Sequence, residues 1–337
     1  MSVSENNVEL IRKTRHYAEE HLVVSIWVVV STFVLLLSAV FFSFIVSSPY
    51  LKLCVAILIG LLVTRCFILF HDYHHKAILQ KSWWAKPLFD VFGVLVFVPS
   101  GIWKQSHNFH HAHNAVIETS HIGSFWTVSV EKWMSMTRLE RLKYRFVRHP
   151  LTLVLGLLTV FVYDHCINSF VRHPVKNIMG LLVILLHICM LLFAFYFGFL
   201  FDYIFAWLLP IAIAGCLGSY LFYAQHNFPD VILLNRQEWT YSEAALKSTC
   251  FIEMSKLMHW FTGNIACHHV HHLNHRIPFY RLPEAMENIE ELHSPLRTSL
   301  RLNDIIACLQ IKLWDQSENR MISLLDFSKR ANRCVST

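Results

Sequence analysis

The sequence predicts an all-α integral membrane protein: four transmembrane helices in two hairpins, interfacial or re-entrant helices between them, and a cytoplasmic helical cap holding a histidine-rich two-metal site. Three observations lead there. Of the 337 residues, 55% are hydrophobic and only 15% are charged, against about a quarter charged in soluble domains. Four apolar runs are each long enough to cross a bilayer core, which takes about 20 helical residues. Three histidine clusters, His71-Asp-Tyr-His-His75, His107-Asn-Phe-His-His-Ala-His113 and His268-His-Val-His-His272, each stand at a polar end of apolar sequence. No Gly/Ser/Pro-rich linker and no internal repeat divides the chain, so residues 1–337 read as one domain.

Met1 to Glu20 mixes acidic and basic residues. The apolar run that follows is too long for a signal peptide and lacks a small-residue cleavage site, so it reads as a retained span. The four spans are residues 23–46, 53–70, 178–200 and 204–223. Ser47, Ser48 and Pro49 turn the first hairpin, and Phe201-Asp-Tyr203 is expected to turn the second. Arg65, near the end of the second span, must snorkel or find a partner. Leu88–Trp103, broken by Gly93, Pro99 and Gly101, and Leu151–Tyr163 are too short to span and read as re-entrant or interfacial helices. If Leu88–Trp103 crossed, the first two histidine clusters would lie on opposite faces of the membrane and could share no site. Beyond Phe279 the chain turns polar and is expected to be helical, with mixed Asn303–Asp315 packing on the cytoplasmic face.

Lys and Arg gather at residues 12–15, 76–148 and beyond 236, while the hairpin turns hold only Lys52. Positive loops face the cytoplasm, which places both termini and all three clusters there. The net charge of +6 is scattered and accompanies no aromatic-basic motif. That suits loops against anionic lipid and excludes a nucleic-acid surface. Nine cysteines, with Cys54, Cys66, Cys189 and Cys216 in apolar stretches and no CxxC pair, read as reduced.

His71 and His75 are four apart; His107, His110 and His111, like His268, His271 and His272, are spaced i, i+3, i+4. Each set occupies one helix face. Eight imidazoles suit two ions rather than one. A nitrogen-only set accepts Fe, Cu, Zn or Ni. Cys267 is the one thiol beside a cluster, which argues against a thiolate zinc site. The carboxylates of soluble di-iron bundles are absent from these spans. Such a centre beside a membrane implies oxidative or hydrolytic attack on a lipophilic substrate. His165, His187 and His259 read as structural, and His74, His113, His121, His269 and His275 as surface groups or partners of ligands. Asp72 and Glu118 are candidates to hydrogen-bond the imidazoles. A histidine-rich metal transporter fits less well, because its ligands belong near the bilayer midplane.

At these residues the chain resembles the membrane fatty acid desaturase family. His71-Asp-x-x-His75, His107-x-x-His-His111 and His268-x-x-His-His272 are similar to its three histidine boxes. Gly123-Ser-Phe-Trp-Thr127, Tyr223-Ala-Gln-His-Asn227, Trp260-Phe-Thr-Gly-Asn264 and Leu313-Trp-Asp315 resemble the bacterial and plastid acyl-lipid enzymes of the Δ12/ω-6 branch, over about residues 50–327. The resemblance implies two iron ions held by His71, His75, His107, His110, His111, His226, His268, His271 and His272, with O2 as co-substrate. His226, isolated at the end of the fourth span, enters by resemblance alone. Also implied are a fatty acyl substrate on lipid rather than CoA or carrier protein, and a bacterial inner membrane rather than the endoplasmic reticulum. Lacking a fused His-Pro-Gly-Gly heme motif, the chain is expected to draw electrons from a separate ferredoxin or cytochrome b5 type donor. Related acyl hydroxylases and carotenoid ketolases use the same boxes and are the alternative activity. The chain departs from the family at Tyr73 and His74, where Cys and Gly are common, and at Phe222, where acyl-CoA desaturases carry a water-holding Asn. A narrow apolar tunnel is expected along Leu88–Trp103 and Leu151–Tyr163 with help from Phe109, Trp126, Trp260 and Phe261. Lys104 and Arg276 at its mouth could meet a phosphate headgroup or an acidic donor.

Overall fold

A computed structural model of the chain describes residues 3–119, 124–237 and 239–335. Among the described residues, four helices are long and apolar enough to cross a membrane: Leu22–Ile45, Pro49–His74, Ile178–Tyr196 and Leu200–His226. In hydrocarbon only a helix or a closed barrel satisfies its own backbone, so apolar runs of this length become helices. The first and third spans leave Trp27, Val34, Phe41, Leu192 and Phe195 exposed. An apolar belt of that extent marks a lipid-facing surface. The second span is the central one, with Ala56, Ile59, Cys66 and Phe70 fully buried.

Pro49 opens the second span, where its missing N–H is not needed. The second hairpin turns earlier than the sequence suggested. Gly198 adopts φ +76°, its N–H donates to Phe195 O, and the Phe199 N–H donates to Ala194 O. This is a glycine-terminated helix end of the Schellman type. Phe201–Tyr203 therefore lies inside the next helix, which begins at Leu200 and passes through a π-helical stretch, Ile204–Leu208. Both hairpin ends meet. Lys52 Nζ is 2.5 Å from Asp202 Oδ1 and donates to Ser43 O at 2.7 Å. His71 stands 19 residues further along the same helix, about 28 Å away at 1.5 Å per residue, so the pair and the histidines occupy opposite ends of the bundle.

Ala85–Leu95 and Ser100–Ala112 are two helices bent by 90°. Phe97 has φ +59° in the break. The His71 and His107 rings are 4.9 Å apart, so the bent pair returns to the side it left, as a shared site requires. The Leu151–Tyr163 stretch is longer than its apolar content suggested. After Pro150–Val154 it continues as a π-helix, Leu157–Asn168, and a last turn, Ser169–Arg172. It lies tight against the fourth span: a Cβ at Gly156 would overlap Ser219 Oγ and the Gly215 carbonyl. Gly156→Val is expected to destabilise the protein by about 1–3 kcal/mol through overpacking. Gly101→Ala, with nothing within 4 Å of the new methyl and a helical backbone, should not lower the detergent-phase melting temperature.

Around the helical frame the cap adds two small sheets. β1 (Val128–Ser129) pairs in parallel with β4 (Ile311–Asp315), which pairs antiparallel with β5 (Arg320–Ser323); β2 (Phe251–Glu253) pairs in parallel with β3 (Arg297–Ser299). The helix expected over Asn303–Asp315 thus stops at Gln310, and Ile311–Asp315 is a strand. The physical reason is burial: Ile311, Leu313, Trp314 and Asp315 are all buried, and the Tyr144 hydroxyl donates to the Lys312 carbonyl.

Candidate metal centre

Four helices bring the histidines together. His71 lies in the last turn of the second span and His75 caps it. His107, His110 and His111 share the buried face of Ser100–Ala112. His268, His271 and His272 belong to the six-residue helix His268–Leu273. That helix is aimed by a turn with positive φ at Gly263 and Asn264, where Asn264 Nδ2 donates to Phe279 O at 3.2 Å. The fourth span ends at His226, between Gln225, whose Nε2 donates to Ile265 O, and Asn227, whose Nδ2 donates to Cys308 O. Arg65 finds partners instead of snorkelling. Its Nε donates to Thr32 Oγ1 at 3.1 Å, Nη1 donates to Trp260 O, and the guanidinium lies 4.1 Å from the Trp260 ring. It ties two spans to the cap just beneath the histidines.

All nine histidines carried over by resemblance come together, in two groups. His71, His75, His107, His111 and His271 form one; His110, His226, His268 and His272 form the other. Within each group the ligand-capable nitrogens lie within 4.8 Å of one another. Nε2 atoms face Nε2 atoms: His111–His107 and His271–His111 at 3.1 Å, His110–His226 at 3.1 Å, His110–His272 at 3.2 Å and His268–His226 at 2.9 Å. A neutral imidazole has one N–H and one lone pair, so it cannot serve several such neighbours at once. Convergent lone pairs of this kind fit a metal cation in each group. Burial first, then neighbouring imidazoles, hold His268, His271 and His272 well below the ordinary value of 6.5. They are neutral at pH 7, the form that binds metal.

That depression has a sign. Below pH 6.5 the unfolded chain protonates these imidazoles and the folded chain does not, so stability is complete above 6.5 and falls as pH drops toward the folded values. The metal-free protein is expected to melt progressively lower between pH 7 and pH 5. A flat melting temperature across that window would contradict the burial of these rings.

One ligand-capable ring is clearly buttressed. Asp72 Oδ1 is 3.0 Å from His71 Nδ1, and Asp72 Oδ2 accepts the Phe279 N–H at 2.7 Å. Glu118, the other expected carboxylate, is exposed on a short 3-10 turn instead. Trp103 stacks on His107 at 4.4 Å. Phe222 packs edge-on against His110 at 4.9 Å. His187 is bound to the Val183 and Leu95 carbonyls, His165 to the Val160 carbonyl, and His259 stacks on Phe251. His113 turns to the Phe109 carbonyl, His74 packs on Phe70, and His269 is fully buried. His121 and Gly123 lie outside the described residues. His275 is nearer the centre than its spacing suggested: its ring is 4.6 Å from that of His75 and 5.2 Å from that of His111.

The expected tunnel walls are sorted by the same contacts. Phe67 touches Trp103 from one wall stretch and Phe161 from the other, at 6.0 and 6.2 Å. Trp126 belongs to the cap, packed on Tyr144, and Trp260 lies under Arg65. Phe261 is buried in the main core, and Phe109 stacks on His113. A cavity of about 40 Å³ with mixed lining borders His110 and His226, lined also by Asn114, Phe125, Arg148 and Tyr223.

Comparison with known proteins agrees with this geometry. The profile of the Fatty acid desaturase family matches residues 47–299. The chain is 30% identical to the Fatty acid desaturase of Bacillus subtilis over 285 residues, 82% of this chain and 78% of that one. It is 24% identical to the sn-1 oleoyl-lipid 12-desaturase of Synechocystis over 70% of this chain and 67% of that one. The sn-1 oleoyl-lipid 12-desaturase of Anabaena variabilis is 23% identical, over 77% and 76%.

Proposed function

This chain belongs to the fatty acid desaturase family, an oxidoreductase acting on fatty acyl chains, and from that premise we propose that it places a cis double bond in a lipid-linked acyl chain, of Δ12/ω-6 type, using two iron ions. The observation that carries the reading is the pair of buried imidazole groups, five and four strong, side by side. The nine histidines are the proposed iron ligands. The Δ12 position and the lipid-linked substrate draw on the cyanobacterial relatives, whose names specify oleoyl-lipid 12-desaturation. The grouping of Lys and Arg supports a cytoplasmic site, and the bacterial relatives support an inner membrane.

The overall change is O2 + –CH2–CH2– + 2 e⁻ + 2 H⁺ → –CH=CH– + 2 H2O. Bound iron would supply the oxygen activation that removes hydrogen from an unactivated methylene. The chain's own residues do the rest. The histidines keep neutral nitrogens converged in a buried pocket. Asp72 fixes the His71 tautomer with Nε2 free. Trp103, Phe67 and Phe161 form an apolar floor that excludes water and seats the acyl chain. Regioselectivity is then a matter of depth, because neighbouring methylenes are chemically alike. Electrons come from a separate ferredoxin or cytochrome b5 type donor.

Expression in a host lacking polyunsaturated lipids, with a one-electron donor supplied, should give a new double bond by gas chromatography–mass spectrometry. A retained hydroxyl would move the protein to the hydroxylases. No acyl product from an iron-loaded, reduced protein would rule out an acyl substrate.

A further inference from the structure

Each turnover draws two electrons from outside the chain, and they must cross a protein shell to reach buried histidines. Beside the five-histidine group the shell is bridged at one place. Among the described ring contacts made by the five-histidine group, two come from residues outside both groups, Trp103 and His275. Trp103 is buried, whereas His275 is partly exposed. His275 therefore touches both the ligand-capable rings and the surface, with the Tyr241 hydroxyl 3.5 Å from its Nδ1.

The rim around it is basic. Arg276 follows His275 and is exposed; Lys76 follows His75 and is exposed. Asn274 Nδ2 donates to Thr14 Oγ1 at 2.9 Å, which brings exposed Arg15 to the same rim. None of these three side chains makes an ion pair among the described residues. Of the neighbouring cations, Lys13 is matched by Glu291, Arg12 by Glu9 and Lys247 by Glu243, while the Glu20 carboxylate accepts the Leu79 N–H. Three unmatched cations around one surface-touching ring favour a negatively charged partner.

We propose that an acidic, soluble one-electron carrier protein docks on the Arg15–Lys76–Arg276 rim and passes its electrons through His275 to the five-histidine group. The proposal rests on the desaturase reading of that group. Two carriers are oxidised per double bond, each losing one electron, and the two protons come from solvent.

The test uses the full-length, iron-loaded protein in nanodiscs and an acidic [2Fe–2S] ferredoxin as probe. Calorimetry across a salt series should show the Arg15→Glu/Lys76→Glu/Arg276→Glu variant binding at least about tenfold more weakly, with a flatter salt dependence. Lys256→Glu, exposed elsewhere on the cap, should bind like the unaltered protein. His275→Phe should keep both carrier affinity and iron content, while oxidation of reduced carrier on rapid mixing slows at least about tenfold. Unchanged binding by the triple variant overturns the docking surface. An unchanged oxidation rate in His275→Phe, or loss of its iron, overturns the electron role. Product formed by dithionite-reduced protein without carrier tests the desaturase reading separately: absence of a double bond there sinks that reading and not the docking surface.

Discussion

Replacing His271 by alanine is expected to remove about half of the bound iron and to reduce double-bond formation by more than about a hundredfold. His271 Nε2 is 3.1 Å from His111 Nε2, and its ring lies 4.6 Å from His71 and 5.1 Å from His75. All four rings are buried. Loss of a mere hydrogen-bond partner of a ligand already costs about 10–100-fold in metal affinity or activity, and loss of the ligand nitrogen itself should cost more. His110→Ala should deplete the four-histidine group in the same way, because His110 faces both His226 and His272. The two variants should therefore each keep about one iron per chain, at different positions. Metal analysis of purified protein, with size-exclusion chromatography as a check on folding, reads this directly. His165→Ala, a half-buried ring bound to a backbone carbonyl, should change neither iron content nor product. Full iron content and full product in His271→Ala would end the two-group description.

The difference between what was legible in the sequence and what was not has a common cause. Repetitive signals survive translation into structure. Apolar length gave the four spans to within a few residues, and i, i+3, i+4 spacing gave eight of the nine converging histidines. Features decided by a single residue or a distant partner did not show. Gly198 moved the second turn by accepting a left-handed backbone, and a single glycine inside an apolar run does not announce that conformation. Ile311–Asp315 became a strand because β1 and β5 lie beside it, and local pattern holds no trace of those neighbours. His226 has no companion at helical spacing, so only family resemblance reached it. His275 looked peripheral because it stands three residues beyond His272, past the end of the helix; there the chain turns it back against His75. Asp72 could be named because it abuts His71 in sequence, yet its second bond, to the Phe279 N–H 207 residues away, could not.

That second bond makes Asp72 the residue whose loss should reach furthest beyond its own size. One carboxylate oxygen holds His71 Nδ1 and the other holds the Phe279 backbone, so a single buried side chain joins the second span to the cap segment after the third box. Asp72→Asn keeps the shape and offers one carbonyl oxygen in place of two acceptors. Either the His71 N–H or the Phe279 N–H then meets an NH2 group. A buried donor left without an acceptor costs about 1–3 kcal/mol. Iron affinity, measured by competition with a chelator, is expected to fall about 10–100-fold, as for other hydrogen-bond partners of metal-binding histidines. Asp72→Leu removes both acceptors, and it should lower the melting temperature of the metal-free protein as well, because the Phe279 N–H is orphaned whether or not iron is bound. The two effects separate the roles. If Asp72 serves only the fold, both variants lose stability and hold iron as tightly as before. If it serves only the metal, the metal-free melting temperature stays put in both. The geometry requires that Asp72→Leu lose on both counts, and an unchanged value on either one would break the link between Asp72, His71 and the cap.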